Sequence, residues 1–279
     1  MVVSNIFEYR KFHMEQFRQD GLPDAEFEYN CILEQVAGMP WYRIREISPD
    51  QLREMQHMTE RRISGEPLQY ILGEWEFYGM KFFVGKGVLI PRPDTECLID
   101  LVSEKFGNLR NLKILDLCTG SGCIALVLKK IFPDADVTGI DLSPDALAYA
   151  AKNKAYHALD VKFLQGNVMD SCLPENFDVF DLIISNPPYL TSQEMQILQT
   201  EVSHEPEMAL HGGVDGLNFY RGITRIWKSK LKSRGLLLYE IGEQQGAAVS
   251  EILQMQDFEN VKITQDLAHR DRIVSGNKI

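Results

Sequence analysis

Five consecutive residues, Ser185-Asn186-Pro187-Pro188-Tyr189, follow directly on the apolar run Asp181-Leu182-Ile183-Ile184. An apolar strand that ends in a proline-stiffened polar turn puts that turn at the carboxyl edge of a parallel sheet, where open α/β folds bind their ligands. Two acceptors stand there: the side-chain oxygen of Asn186 and the backbone carbonyl of Pro187, the latter held by the fixed ring torsions of Pro187 and Pro188. Two acceptors at one point suit a planar nitrogen that carries N–H groups, and Tyr189 adds a flat face for a planar substrate group. An amide nitrogen is a poor nucleophile because its lone pair is delocalised, so these residue types read as a clamp that holds it in line with an electrophilic carbon. A plain Pro-Pro turn with a capping Asn is the alternative; the strand before it and the Tyr after it favour the clamp.

A second constellation starts at Ile114-Leu115-Asp116-Leu117-Cys118-Thr119-Gly120-Ser121-Gly122, a buried-type strand running into a turn of small residues that opens a helix. A second strand ends in Asp141 roughly 20 residues on, the spacing of a first nucleoside-binding βαβ unit. Gly120 and Gly122 let the backbone pass close to a ligand, and a carboxylate at the tip of the second strand can accept both hydroxyls of a ribose. The turn lacks the G-x-G-x-x-G spacing, and Asp116 would repel a pyrophosphate while it can face the cationic end of a methionine-derived ligand. S-adenosylmethionine is therefore expected in preference to a nicotinamide dinucleotide, with a helix N-terminal charge as the other role open to Asp116. Asn167-Val168, after the strand Val161–Gln165, are placed to meet an adenine by hydrogen bond and apolar contact. A sulfonium is already an activated methyl donor, so positioning and charge placement supply the catalysis and no dedicated base is demanded. Cys118 is not expected to act as a nucleophile, because methyl transfer needs no covalent enzyme intermediate and no histidine lies nearby in sequence.

These residues need a frame. Short apolar strands alternate with helical segments at Lys113–Leu117, Ile124–Phe132, Asp136–Ile140, Pro144–His157, Val161–Gln165, Asp181–Ser185, Phe219–Leu231 and Leu236–Ile241. The alternation predicts an α/β fold, a doubly wound and mainly parallel Rossmann-like sheet with helices on both faces, over residues 86–279. Residues 1–69 carry apolar positions at helical spacing, with breaks at Gly21–Pro23 and Gly38–Pro40, and predict a small helical bundle. Its third helix begins at Ser48-Pro49-Asp50-Gln51, a capping-box pattern with Pro in the first helical position. Between the two, residues 70–85 are rich in aromatic and β-branched residues around Gly73 and Gly79 and predict a connecting β-hairpin from Tyr70 to Val84.

Composition narrows the setting. The 279 residues are 44% apolar and 25% charged, the balance of a folded protein with one or two cores. No run approaches the roughly 20 apolar residues of a membrane span, and the N-terminus lacks an apolar signal core, so a cytoplasmic protein is expected. A net charge of −11 argues against a protein that grips nucleic acid as its main task. The Lys/Arg-bearing stretch Arg43–Arg62 reads as a solvated helix face. Five scattered cysteines, without C-x-x-C pairs or nearby histidines, read as reduced thiols, and no metal site is indicated.

The Asn186–Tyr189 tetrapeptide with the Asp116–Gly122 loop resembles the amino-nitrogen methyltransferases of DNA adenine, DNA cytosine and protein glutamine. Gly65-Glu66-Pro67-Leu68-Gln69-Tyr70-Ile71-Leu72-Gly73-Glu74-Trp75-Glu76-Phe77 and Leu89-Ile90-Pro91-Arg92-Pro93-Asp94-Thr95-Glu96 are similar to the peptide chain release factor glutamine methyltransferases (PrmC, or HemK). So are His204-Glu205-Pro206, Ala209–Leu217, Asp266-Leu267-Ala268 and Asp271-Arg272. The resemblance implies a class I S-adenosylmethionine-dependent enzyme, monomeric, that methylates the glutamine amide in the Gly-Gly-Gln loop of release factors 1 and 2. It implies that the N-terminal bundle helps to hold the release factor, and that nucleic acid is not the substrate. It assigns the cofactor to Cys118, Thr119, Gly120, Ser121 and Gly122, with Asp141 and Leu142, Asn167 and Val168, and the substrate to Asn186, Pro187, Pro188 and Tyr189. Arg92 and Thr95, and Asn186 itself, are expected to line the same cavity. Many members have Gly where Cys118 stands, and an ordinary backbone conformation is expected for this Cys. A ribosomal-protein glutamine methyltransferase is the main alternative; a DNA adenine methyltransferase is disfavoured by charge and by the lack of a long recognition insert, and a non-catalytic cofactor-binding scaffold has no need of the clamp.

Overall fold

The computed structural model describes residues 6–19, 22, 24–107 and 109–279. The chain divides into two compact units, Met1–Glu74 with Gln199–His204, and Trp75–Leu198 with Glu205–Ile279. The helix break expected at Gly21–Pro23 falls on Gly21 and Pro23, which lie outside the described residues. Among the described residues no helix is long and apolar enough to cross a membrane.

The first unit holds the helices α1 (Ile6–Gln19), α2 (Ala25–Ala37), α3 (Pro49–Ile63) and the short α4 (Leu68–Leu72). Helix α2 stops at Gly38, whose φ of 67° is the left-handed closure that glycine makes without a Cβ penalty. Helix α3 starts as its sequence dictates: Ser48 Oγ accepts from Gln51 N at 3.2 Å, and the Gln51 side chain accepts from Ser48 N at 2.9 Å. Phe17, Tyr29, Ile32, Leu33 and Met55 are buried between these helices. Within this core Arg62, 2% exposed, forks onto Glu28 through Nε at 2.5 Å and a terminal nitrogen at 3.0 Å, and also pairs with Glu201.

Tyr70-Ile71-Leu72, expected to open the hairpin, are instead helical. The Pro67 carbonyl accepts from both Tyr70 N and Ile71 N, and Gly73 at φ 75° ends the turn, so local hydrogen bonding overrides the β-propensity of these residues. The hairpin is β1 (Glu74–Phe77) and β2 (Met80–Phe83), and the positive φ of both Tyr78 and Gly79 gives the twist of a two-residue turn.

The second unit is built on a seven-stranded sheet in the order β5-β4-β3-β6-β7-β9-β8. Its strands are β3 (Lys113–Leu117), β4 (Asp136–Asp141), β5 (Lys162–Gln165), β6 (Phe180–Ser185), β7 (Leu231–Glu240), β8 (Phe258–Gln265) and β9 (Asp271–Lys278). The first five are parallel, and β9 runs antiparallel to both of its neighbours. Its helices are α5 (Glu96–Phe106), α6 (Cys123–Ile131), α7 (Pro144–His157), α8 (Asn218–Trp227) and α9 (Gly246–Met255). Alternate residues of one strand feed opposite cores: Ile114, Leu182 and Leu236 pack with α5 and α6, whereas Leu115, Ile183 and Leu237 pack with α8 and α9. Helix α8 buries Tyr220, Ile223, Thr224 and Trp227, a stripe at helical spacing. The helix expected to reach Leu231 stops at Trp227, and Leu231 already begins β7. The hairpin β8–β9 was not among the expected elements.

Chain order reverses between β3 and β6, which lie side by side although β4 and β5 separate them in sequence. Leu117 and Ser185, the last residues of these strands, are register partners, and the Ser185 hydroxyl donates to the Leu117 carbonyl at 2.6 Å. The chain turns sharply on leaving β3: Cys118 has φ 62°, and Thr119 N donates to Ile140 O at 3.0 Å. This corrects the ordinary conformation expected for Cys118. The bend belongs to the turn rather than to the residue, and a side chain there stands in the left-handed region that favours glycine.

Two outcomes follow for stability. Arg62→Met leaves the Glu28 carboxylate buried without its partner and should lower the unfolding free energy by about 3 kcal/mol, with most of the loss recovered in the double variant carrying Glu28→Gln; denaturant melts of the three proteins check this, and an unchanged midpoint in the single variant would contradict it. Cys118→Gly should be more stable than Cys118→Ala by about 1 kcal/mol, the reverse of the order at a position with negative φ, as read from the same melts.

Candidate active site

A cavity of about 640 Å³ opens at the carboxyl ends of β3, β4 and β6. Cys118, Thr119, Gly120 and Ser121 line it from the turn after β3. Gly122 stands behind that turn at φ 78°, where a Cβ would meet the Phe163 ring at 2.6 Å. Glycine is thus required for α6 to start close against the sheet. Asn153 of α7, fully buried, donates to the Ser121 carbonyl at 3.0 Å and to the Phe83 carbonyl at 3.1 Å, which ties the turn to the hairpin.

Asp141, at the tip of β4, lines the cavity with both oxygens already anchored: Oδ2 accepts from Gly120 N at 2.8 Å and Oδ1 from Ser143 N at 2.9 Å. Burial pushes its carboxyl above the usual range, and those backbone donors oppose the rise. The carboxylate is therefore fixed in orientation before any ligand arrives, with lone pairs left over. Leu142, Asn167 and Val168 also line the cavity. The Asn167 side chain accepts from Met169 N at 3.0 Å, and the Val168 carbonyl accepts from the Trp227 indole at 2.9 Å, so this wall is braced by α8.

Asp116 lies beneath the turn, fully buried, and does not itself reach the cavity wall. Its Oδ2 accepts from the Thr119 hydroxyl at 2.5 Å, while Oδ1 and the nearby Ser121 Oγ are buried without partners. Burial pushes the Asp116 carboxyl up to about 7 against the pull of the Thr119 bond, and the charge of Asp141 adds to the rise. The Cys118 thiol is held well above its ordinary value by burial, so it stays protonated and inert.

Of the clamp residues, Asn186 and Pro188 line the cavity. Asn186 is half-buried, and its Nδ2 donates to Thr95 Oγ1 at 3.3 Å, which leaves Oδ1 for the cavity. Pro187 is buried, and the half-buried Tyr189 packs on the core formed with α8 and α9 rather than on the cavity wall. The clamp backbone is held from behind. Gln245 Nε2 donates to the Tyr189 carbonyl at 2.9 Å, Leu190 bridges to His211, and a Cβ on Gly212 would lie 2.7 Å from the Pro188 carbonyl. Gly216, at φ 72°, would bring a Cβ to 2.3 Å from the Tyr189 carbonyl. The glycines at 212 and 216 thus allow one loop to press on the clamp.

Arg92 and Thr95 also line the cavity, Thr95 beside Asn186. Arg92 pairs with Glu205, a buried carboxylate that also accepts from Ile90 N at 3.0 Å and whose pKa burial raises. Glu205 anchors the segment from which Pro206, Met208 and Ala209 reach the cavity. Glu205, Gly212, Gly216, Gln245, Asn153 and Phe219 were not singled out from the sequence as site residues. Glu205, Gly212 and Gly216 stand in segments that resemble the family, which was the visible signal for them; a lone Gln or Asn carries none.

The family model described as methyltransferase small domain matches residues 93–213, and that described as PrmC N-terminal domain matches residues 9–73. The release factor glutamine methyltransferase of Thermodesulfovibrio yellowstonii is 44% identical over 233 residues, covering 82% of this chain and 82% of that protein. The protein of the same name from Fusobacterium nucleatum is 36% identical over 275 residues, covering 95% of this chain and 77% of its own length. Among solved structures, a methyltransferase from Pyrococcus furiosus superposes with a TM-score of 0.55 at 16% identity, over 83% of this chain and 99% of its own, a likeness of fold. Identity of this extent, across both the helical unit and the sheet that carries the cavity, makes the chain a member of the release factor glutamine methyltransferase family.

Proposed function

We propose that this protein transfers a methyl group from S-adenosylmethionine to the side-chain amide nitrogen of the glutamine in the Gly-Gly-Gln loop of peptide chain release factors 1 and 2. The observation that carries the reading is Asn186: its amide nitrogen is engaged by Thr95, so its oxygen is presented to the cavity at the end of β6, beside the turn that ends β3. An oxygen so held accepts an N–H from a substrate amide and keeps the nitrogen lone pair turned toward the incoming carbon.

The residues fit the cofactor. Asp141 has lone pairs for ribose hydroxyls, Leu142 and Val168 offer apolar surface to an adenine, with Asn167 beside them, and the buried unpartnered atoms of Asp116 and Ser121 provide polar capacity beneath the turn that would receive the methionyl end. When bound, S-adenosylmethionine supplies a methyl group already activated by its sulfonium. The protein's part would be to hold the amide plane between Asn186 Oδ1 and the Pro187 carbonyl, beside the apolar surface that Pro188 and Phe219 give the cavity. Arg92, fixed by Glu205, is the cation at hand for a carboxylate or a carbonyl in this cavity. No residue needs to remove a proton before transfer, since the methylated amide nitrogen is strongly acidic and releases it afterwards.

Label from S-adenosylmethionine should appear on intact release factor, and not on the same factor with the Gly-Gly-Gln glutamine changed to Ala or on unmethylated DNA; label on DNA would overturn the reading. Asn186→Ala should cut kcat by at least two orders of magnitude, about 3 kcal/mol of transition-state stabilisation, with cofactor affinity nearly unchanged. Asp141→Ala should instead weaken cofactor binding by about tenfold or more, as expected for lost charge-assisted hydrogen bonds. Calorimetry of both variants separates the two roles, and equal cofactor affinity in Asp141→Ala would remove this residue from the ribose site.

A further inference from the structure

The chain leaves the clamp through Tyr189, whose carbonyl meets the tight turn Gly242–Gln245 between β7 and α9. Gln245 N closes that turn by donating to the Gly242 carbonyl at 2.9 Å. The Gln245 side chain folds back over it: Oε1 accepts from Gly242 N at 3.0 Å, and Nε2 donates to the Tyr189 carbonyl at 2.9 Å and to the Gly216 carbonyl at 3.4 Å. These partners are backbone groups of fixed role, an N–H that only donates and carbonyls that only accept, so the amide has one orientation. The Tyr220 hydroxyl stands 3.3 Å from Oε1 on the donor side as well. The turn is itself immobilised, because the Gln245 carbonyl accepts from Val249 N at 2.9 Å at the start of α9, and Val249 and Leu253 of that helix are fully buried. The fit is close: a Cβ on Gly216 would lie 2.6 Å from Gln245 Nε2, and one on Gly242 would touch the Tyr189 ring at 3.5 Å.

We propose that Gln245 is a positioning residue for methyl transfer, whose amide fastens the Tyr189 carbonyl and the Gly216 carbonyl to the start of α9 and so sets where Asn186 Oδ1 and the Pro187 carbonyl stand. This rests on the clamp reading above and extends it to a residue that does not line the cavity. The near end of the clamp is fixed by the Ser185 hydroxyl on the Leu117 carbonyl at 2.6 Å; Gln245 fixes the far end. Between these two points lie Asn186, Pro187 and Pro188, and the fixed ring torsions of the prolines leave little slack, so a shift at the Tyr189 carbonyl is passed back to Asn186. The place calls for one acceptor and two donors on a planar group at the end of a two-methylene stem, which is the inventory of glutamine. Glutamate keeps the shape but, when ionised, turns an oxygen on two carbonyl oxygens; methionine keeps the length and makes neither bond.

The test uses the full-length protein with S-adenosylmethionine and release factor, and compares wild type, Gln245→Met and Gln245→Glu. Gln245→Met should lower kcat about 100-fold, the loss that a displacement of about 1 Å in a positioned group brings, with cofactor Kd and KM for the release factor within about twofold. Gln245→Glu should be as slow near pH 8, where its carboxylate has no hydrogen to donate. Its rate relative to wild type should rise several-fold as the pH is lowered to about 6, because a carboxyl pressed on two carbonyls in a half-buried place takes up its proton early and can then donate to Tyr189. The ratio for Gln245→Met should stay flat over the same range, and a purely structural role would give neither the split between kcat and KM nor the rise. Wild-type kcat in Gln245→Met, or a loss carried by KM or by cofactor Kd, would overturn the proposal. Amide hydrogen exchange supplies a readout without substrate: Leu190 N donates to Leu210 O and Gly212 N to Leu190 O, both at 2.8 Å, where the clamp's exit meets the loop that Gln245 holds. These amides should exchange faster in Gln245→Met than in wild type. Equal exchange counts against the positioning role, whereas a wild type that leaves the release factor unmethylated counts against the substrate reading.

Discussion

The Ser185 hydroxyl donates to the Leu117 carbonyl at 2.6 Å, across the last register pair of two parallel strands that are neighbours in the sheet but separated by two others in sequence. Everything chemical in the molecule depends on that juxtaposition. One residue beyond Leu117 the chain enters the turn that curls beneath Asp141; one residue beyond Ser185 it presents Asn186. A slip of one residue in this pairing would turn each strand's side chains to the opposite face and mix the two cores. The register is pinned because both faces are filled: Ile114 and Ile184 face one set of helices, Leu115 and Ile183 the other. The precision of the site therefore comes from hydrophobic packing on elements that themselves touch no ligand.

Around this frame, the protein keeps polar groups where burial is expensive. Asp116 and Glu240 are carboxyls with almost no exposure, each with one oxygen lacking a partner and each raised to about 7 chiefly by burial. They lie near the carboxyl ends of β3 and β7, on the edge of the sheet where the cavity opens. Buried, underused polar groups cluster where a ligand or a reacting group is to be oriented, since a core that served stability alone would be better filled with apolar side chains. Glu205 differs: it is equally buried but satisfied by Arg92 and Ile90 N, and it serves as an anchor for the cavity wall.

The parallel strands were legible because each is an apolar run covered on both faces, and the turns at Gly120 and at Pro187 were legible because glycine and proline punctuate them. The hairpin β8–β9 was not, since Glu259, Asn260, Lys262 and Gln265 are exposed on an edge strand and the run lacks a continuous apolar signature. Tyr70-Ile71-Leu72 misled because Tyr70 and Ile71, both of high β-propensity, were recruited into a helical turn by the Pro67 carbonyl. Cys118 misled for a related reason: its φ is set by the bend that the strand must make, and nothing in a cysteine announces it. Arg92, Thr95, Asp141 and Val168 were foreseen on the cavity wall. Gln245 and Asn153 were not, because each acts by holding another residue, and such a role is visible only once distant segments are brought together.

The most direct measurement is a crystal structure of this protein with S-adenosylhomocysteine and a release factor bound. The glutamine side-chain nitrogen of the Gly-Gly-Gln loop should lie within hydrogen-bonding distance of Asn186 Oδ1 and the Pro187 carbonyl, with the sulfur of the cofactor product on the line along which the methyl group would arrive. A glutamine nitrogen held by other residues, or turned away from the cofactor with Asn186 presenting its NH2 group to the cavity, would contradict the clamp.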